Sequence, residues 1–159
     1  MAPVALDSVP EETAMPQASY AVTIEQPIDK VFAFVANGEQ AKRWRPSVVD
    51  IVRAGGTAEG GVGTRYLQGV KGPVRRRVSA DYDITVYEPN KLLEFQTVSG
   101  PARPHGRFEF AEVDGGTRVT FSLDAELTGL RKLLMESAVQ RTMDSEVLAL
   151  DNLKRVLER

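Results

Sequence analysis

The chain has 159 residues, 42% hydrophobic and 26% charged, with a net charge of −2, one histidine and no cysteine. That length makes one domain with a substantial core, and the charge balance gives no reason to expect nucleic acid or an anionic membrane as partner. Without cysteine, disulfides, thiolate nucleophiles and sulfur-bound metals are excluded, and a reducing, cytoplasmic location is expected.

Residues 1–18 hold Pro3, Pro10 and Pro16 among Asp7, Glu11 and Glu12, with no early Lys or Arg and no apolar run. They read as a flexible, mildly acidic tail rather than a secretory signal, which leaves 19–159 as the folded domain. No stretch approaches the roughly 20 apolar residues that span a bilayer, so no membrane insertion is expected.

Residues 19–26 alternate and predict a first strand. Residues 28–36 space Ile28, Val31, Phe32 and Val35 on one helical face, with Asp29 placed to suit the helix dipole. Asn37-Gly38 ends that helix, and a second short one is expected over 39–44, before Pro46. Strands are then predicted over 48–54, 63–70, 74–87, 92–99, 106–113 and 117–127. Their boundaries are Gly55-Gly56, Gly72-Pro73, Pro89-Asn90, Gly100-Pro101 and Asp114-Gly115-Gly116.

From residue 74 to 127 one parity is hydrocarbon: Val78, Ala80, Tyr82, Ile84, Val86, then Leu93, Phe95, Thr97, then Phe108, Phe110, then Val119, Phe121, Leu123, Ala125, Leu127. The other parity takes Arg75, Arg77, Asp81, Asp83, Glu94, Arg107, Glu109, Arg118, Asp124 and Glu126. A period of two with one charged side marks an antiparallel sheet with one wet face. In strand 63–70 the parity is mixed, and the inward side stays open. Residues 131–159 lack Gly and Pro and space Met135, Val139, Met143, Val147, Leu150, Leu153 and Leu157 by three and four. One long amphipathic helix follows, the only element able to cover such a sheet.

Four segments, IEQPIDKVFAFVAN (24–37), RWRPSVVDI (43–51), GGVGTRY (60–66) and DGGTRVTFSLDAELTG (114–129) with LDNLKRVLER (150–159), resemble the polyketide cyclase/dehydrase and lipid-transport proteins of the START / Bet v 1-like (SRPBCC) superfamily. The resemblance spans 19–159. It implies an α+β helix-grip fold: a seven-stranded curved antiparallel sheet, two short helices and a long C-terminal helix enclosing a cavity. It implies binding of lipids, sterols or polyketides, with some members acting as aromatase/cyclases.

The inward parity has few titratable groups, so a carrier of a hydrophobic small molecule is expected, with no cofactor and no metal, as a monomer or homodimer. Its cavity of roughly 300–1,000 Å³ is expected to be lined by Trp44, Tyr66, Tyr82, Phe95, Thr97, Phe108, Phe110, Phe121, Met135, Val139 and Met143. Two other functions stay open. A cyclase or dehydratase would draw its proton chemistry from His105, Tyr82, Tyr66 or Arg76. A protein-interaction module would use an exposed face, although no exposed apolar patch is evident.

His105 shares parity with Arg107 and Glu109, which places it on the wet side without a clear partner. Pro104 and Gly106 suggest irregular backbone around it. Trp44 either stacks on a ligand or plugs one end of the core. Arg76 shares parity with Val78 and Tyr82, so it either snorkels or pairs with a ligand carboxylate. The run Gly60-Gly61-Val62-Gly63 precedes a strand and lacks Gly-Lys-Ser/Thr, so it is no phosphate loop.

Overall fold

A computed structural model describes residues 16–55 and 61–159. The expected tail therefore falls largely outside the described residues, as does Gly60. Strand β1 (Gln17–Ile24) is followed by α1 (Ile28–Ala36), a 3-10 turn (Gly38–Arg43), β2 (Val48–Arg53) and β3 (Arg65–Lys71). A 3-10 turn at Pro73–Arg75 leads to β4 (Arg77–Ser79), β5 (Tyr82–Glu88), β6 (Leu92–Thr97), β7 (His105–Val113) and β8 (Gly116–Asp124). Two helices end the chain, α2 (Gly129–Val147) and α3 (Leu150–Leu157).

Seven strands form one curled antiparallel sheet in the order β1-β8-β7-β6-β5-β3-β2, with the three-residue β4 paired to β3 beside that path. This is the expected helix-grip architecture. The C-terminal helices lie between the sheet's two edges. On one side Gln140 exchanges hydrogen bonds with the backbone of Gln17, and Asp151 accepts from Tyr20 Oη. On the other side Glu146 meets Arg45 and Ser47, just before β2.

Local chemistry explains most element ends. In α1, Asp29 accepts from the Lys30 N–H, and Val31, Phe32, Val35 and Ala36 are buried. Asn37 caps the following turn through Oδ1 on the Glu39 N–H. The outer face of the sheet is laced with charge, including fork-to-fork pairs of Arg65 with Asp83 and Arg77 with Asp50.

Five expectations about elements are corrected. Strand pairing begins at Gln17 and Ala18, opposite Asp124 and Leu123, inside the segment read as tail. The strand expected over 74–87 is broken, because Val74 and Arg75 take left-handed φ values of 49° and 62° and the strand is interrupted again at Ala80–Asp81. Within β5 the register slips between Ile84 and Val86, so Tyr87 rather than Val86 lies opposite Leu93 and its ring packs on Phe32 at 5.3 Å. The single C-terminal helix is two, interrupted at Leu148–Ala149.

Fifth, an exposed apolar patch does exist. None of residues 129–138 is buried, and Leu130, Leu133 and Leu134 are 69%, 78% and 73% exposed. Met135, Val139, Met143 and Val147 turn toward the core, but the first ten residues of α2 are barely seated on the sheet. The firm part of the grip is α3, where Leu150 and Leu153 are fully buried.

Candidate functional site

The concave face carries a continuous row of rings across the strands. Tyr66 on β3 stacks on Tyr82 of β5 at 5.2 Å between centroids, Tyr82 meets Phe95 of β6 at 5.0 Å, and Phe95 meets Phe108 of β7 at 6.2 Å. Phe108 stacks on Phe121 of β8 at 4.2 Å and lies 6.5 Å from Phe110, which Phe32 of α1 approaches at 5.0 Å. Trp44 presents its ring at a steep angle to Phe108 and Phe121, at 6.2 and 6.5 Å. Such tilted and offset pairs add about 0.5–1.5 kcal/mol each beyond the burial of their area.

Two glycines make the row possible. Gly106 lies directly opposite Phe95, and a Cβ there would stand 2.0 Å from the Phe95 ring. It belongs to regular β7, so the irregular backbone expected around it is absent. At Gly38 a Cβ would meet the Tyr82 hydroxyl at 2.6 Å and the Tyr66 ring at 2.7 Å.

The expected cavity is corrected. The rings fill the interior, and the space they leave beside Val35, Gly38, Trp44, Arg45, Tyr82, Phe95 and Phe108 is about 20 Å³. That is room for about one water molecule, which needs about 10–15 Å³, and far too little for a ligand. A larger hollow of about 420 Å³ is an open surface groove between α1 and α3, floored by Ala33, Phe34, Val156 and Leu157.

Of the residues expected to line a cavity, Trp44, Tyr66, Tyr82, Thr97, Phe108, Phe110, Phe121, Val139 and Met143 are buried, while Phe95 and Met135 are partly buried against the same core. The mixed parity of residues 63–70 resolves inward at Thr64, Tyr66 and Gln68.

Of the four candidate proton-transfer residues, only Tyr66 and Tyr82 come together, stacked on the concave face. Arg76 is exposed at the turn before β4, because the break there removes the parity that aimed it inward. His105 is on the outer face, as its parity indicates, but it is not without partners. Its Nε2 lies 2.9 Å from Glu94 Oε1 and its Nδ1 3.1 Å from Asp124 Oδ1, on opposite sides of the ring. Partial burial pushes the His105 pKa down, and the hydrogen bonds to Asp124 and Glu94 with their charges outweigh it, so the net shift is upward. Its two nitrogens face different carboxylates and cannot share one metal ion. Among the described residues no three His, Asp or Glu side chains gather as a metal site.

Tyr66 Oη donates to the Ala36 carbonyl at 3.5 Å. Tyr82 borders the small void, and its hydroxyl has no hydrogen-bond partner among the described residues. Burial pushes the Tyr82 phenol pKa well up, against a smaller opposing pull from the Arg45 charge. At neutral pH it is an O–H donor and not a base.

Sequence reasoning missed a polar cluster at the same end. Arg45 Nε donates to Glu146 Oε2 at 2.5 Å and its Nη1 to Gln68 Oε1 at 3.0 Å. Ser47 Oγ donates to the other oxygen, Glu146 Oε1, at 2.7 Å. Gln68 Nε2 in turn donates to the Ala80 carbonyl at 3.0 Å. The Arg45 and Glu146 side chains are only 12% and 13% exposed. The available signal was Arg45 beside Trp44, with a lone Glu146 on the helix face that carries Met143 and Val147.

The family profile described as "Polyketide cyclase / dehydrase and lipid transport" matches residues 15–158. Solved structures share the fold at low identity. TTHA0849 from Thermus thermophilus is 21% identical with a TM-score of 0.74, over 89% of this chain and 97% of that one. A START superfamily protein from Mycobacterium smegmatis is 13% identical with a TM-score of 0.73, over 91% and 98%. The di-domain ARO/CYC StfQ of the steffimycin biosynthetic pathway is 10% identical with a TM-score of 0.73, over 91% of this chain and 50% of that one. No curated protein sequence matches.

Proposed function

Since this chain belongs to the polyketide cyclase / dehydrase and lipid transport family, we propose that it binds one hydrophobic small molecule between the ring row and helix α2. Family and fold fit hydrophobic-ligand binding or cyclase/dehydrase work, and the observation that favours binding is the chemistry of the concave face. Among the described residues, its aromatic row offers stacking surface, while proton-transfer groups are sparse. The closed interior of about 20 Å³ must therefore widen. Helix α2 is the element that yields most cheaply, because its first ten residues bury no side chain. Met135 and Met143 then supply a soft, adaptable wall. The absence of cysteine suits a reducing, cytoplasmic setting for this binding.

Trp44, the sole tryptophan, is the built-in reporter for the test. Denaturing the purified protein and analysing the extract by mass spectrometry should release a near-stoichiometric apolar molecule, and titrating that molecule back should change Trp44 emission saturably. An empty extract together with no saturable response to apolar probes would remove the binding reading.

A cyclase or dehydratase reading is favoured by one further observation. Tyr82 and Arg45 offer a neutral donor and a cation to the same void, a pairing suited to polarising a carbonyl. On that reading Tyr82→Phe lowers turnover of a poly-β-ketone analogue while His105→Gln leaves it unchanged. The reverse result would exclude it.

A further inference from the structure

We propose that Arg45 is a receptor for the carboxylate of the bound molecule, and that Glu146 is an internal carboxylate holding that position until ligand displaces it. This rests on the binding reading and names the chemical class of its ligand: an apolar body with one carboxylate end.

The grip on Glu146 shows that the pocket end accepts such a group. Arg45 takes one carboxylate oxygen and Ser47 the other, at 2.5 and 2.7 Å. Arg45 also borders the void that Tyr82, Phe95 and Phe108 line, so a ligand lying along the rings would bring its head to the guanidinium. Only two of the five guanidinium N–H donors are matched to described partners, through Nε and Nη1. The Tyr82 hydroxyl, also without a described partner, is a further donor at that place. Gln68 fixes Arg45 from behind and is itself tied to the Ala80 carbonyl.

At this mostly buried end a second carboxylate on Arg45 would leave one negative charge uncompensated beside Glu146, at a desolvation cost that a surface pair does not bear. Entry of a ligand carboxylate therefore expels Glu146 toward solvent. Glu146 belongs to α2, and its bonds to Arg45 and Ser47 fasten the end of that helix to the β2 edge. Loading the head group thus releases the helix that must move for the body to enter. A ligand without an anion leaves the clasp shut and has to open the interior against it.

The probes are 2-naphthoate and decanoate, each compared with its primary amide, which matches the shape without the charge. Calorimetric titration at low salt should show both acids binding the wild-type chain at least tenfold more tightly than their amides. Glu146→Gln removes the competing carboxylate and loosens the clasp, so it should tighten the acids several-fold and the amides clearly less. Arg45→Gln should abolish the preference. Because that variant strands a buried carboxylate, Arg45→Gln/Glu146→Gln is the control that keeps the site neutral, and it should bind acid and amide alike. Equal affinity for acid and amide in the wild type, or a preference that survives in the double variant, would overturn the proposal while the binding reading stands. No binding of either pair by wild type or Glu146→Gln would overturn both.

Discussion

Replacing Gly106 with alanine tests whether the ring row is as tightly packed as it stands. The new methyl would lie 2.0 and 2.1 Å from two carbons of the Phe95 ring, where ordinary contact requires roughly 3.5–4.0 Å. The ring has to retreat by about 1.5 Å. It cannot do so freely, since Tyr82 sits 5.0 Å from it on one side and Phe108 6.2 Å on the other. Overpacking of this kind costs about 1–3 kcal/mol, which for a chain of this length lowers Tm by about 2–12 °C. Urea titration of Gly106→Ala, Phe95→Leu and the double variant separates the clash from any effect on the strand. In the Phe95→Leu background the alanine should cost less than about 0.5 kcal/mol, because the smaller side chain clears the methyl. If Gly106→Ala is neutral, or equally costly in both backgrounds, Phe95 does not cover Gly106 and the packed interior is wrongly described.

Arg45→Ala should destabilise the chain by about 3–5 kcal/mol by leaving Glu146 without its buried partner, and chemical denaturation should show the Arg45→Gln/Glu146→Gln chain to be much closer to wild type. For His105 the linkage has a definite sign: its folded pKa is raised, so the protonated ring between Glu94 and Asp124 contributes stability below the ordinary histidine value of about 6.5. That contribution is lost as pH rises through the folded pKa, and His105→Gln should flatten the dependence of unfolding free energy on pH above about 6. Leu133→Gln and Leu134→Gln should each change stability by less than about 0.5 kcal/mol, since both side chains are mostly in water. Hydrogen exchange should find the amides of 131–138 opening far more readily than those of 153–157.

The alternation from residue 74 to 127 was enough to establish a one-sided antiparallel sheet, and the spacing from Met135 to Leu157 was enough to establish a helical cover for it, though not its division into two helices. Both are local periodicities, and burial of one face leaves few alternatives. Turn residues marked the hairpin at Gly115, whose φ is 70°. The same reasoning placed Tyr82, Phe95, Phe108 and Phe121 inside and His105 outside.

Tertiary structure alone decided the points on which function depends. The turn at Pro73–Arg75 and the bulge within β5 shift parity without altering composition, so Arg76 goes to solvent and Tyr87 to the core. The Arg45–Glu146 pair joins residues 101 positions apart, and His105 meets Asp124 across a strand pair. No periodicity encodes such meetings, because they arise where separate elements converge. Whether the interior is hollow or filled depends on how ring volumes and the closeness of α2 add up in three dimensions. A linear pattern can say which side chains face inward, but the space left between them is set only when the sheet curls and the helix comes to rest.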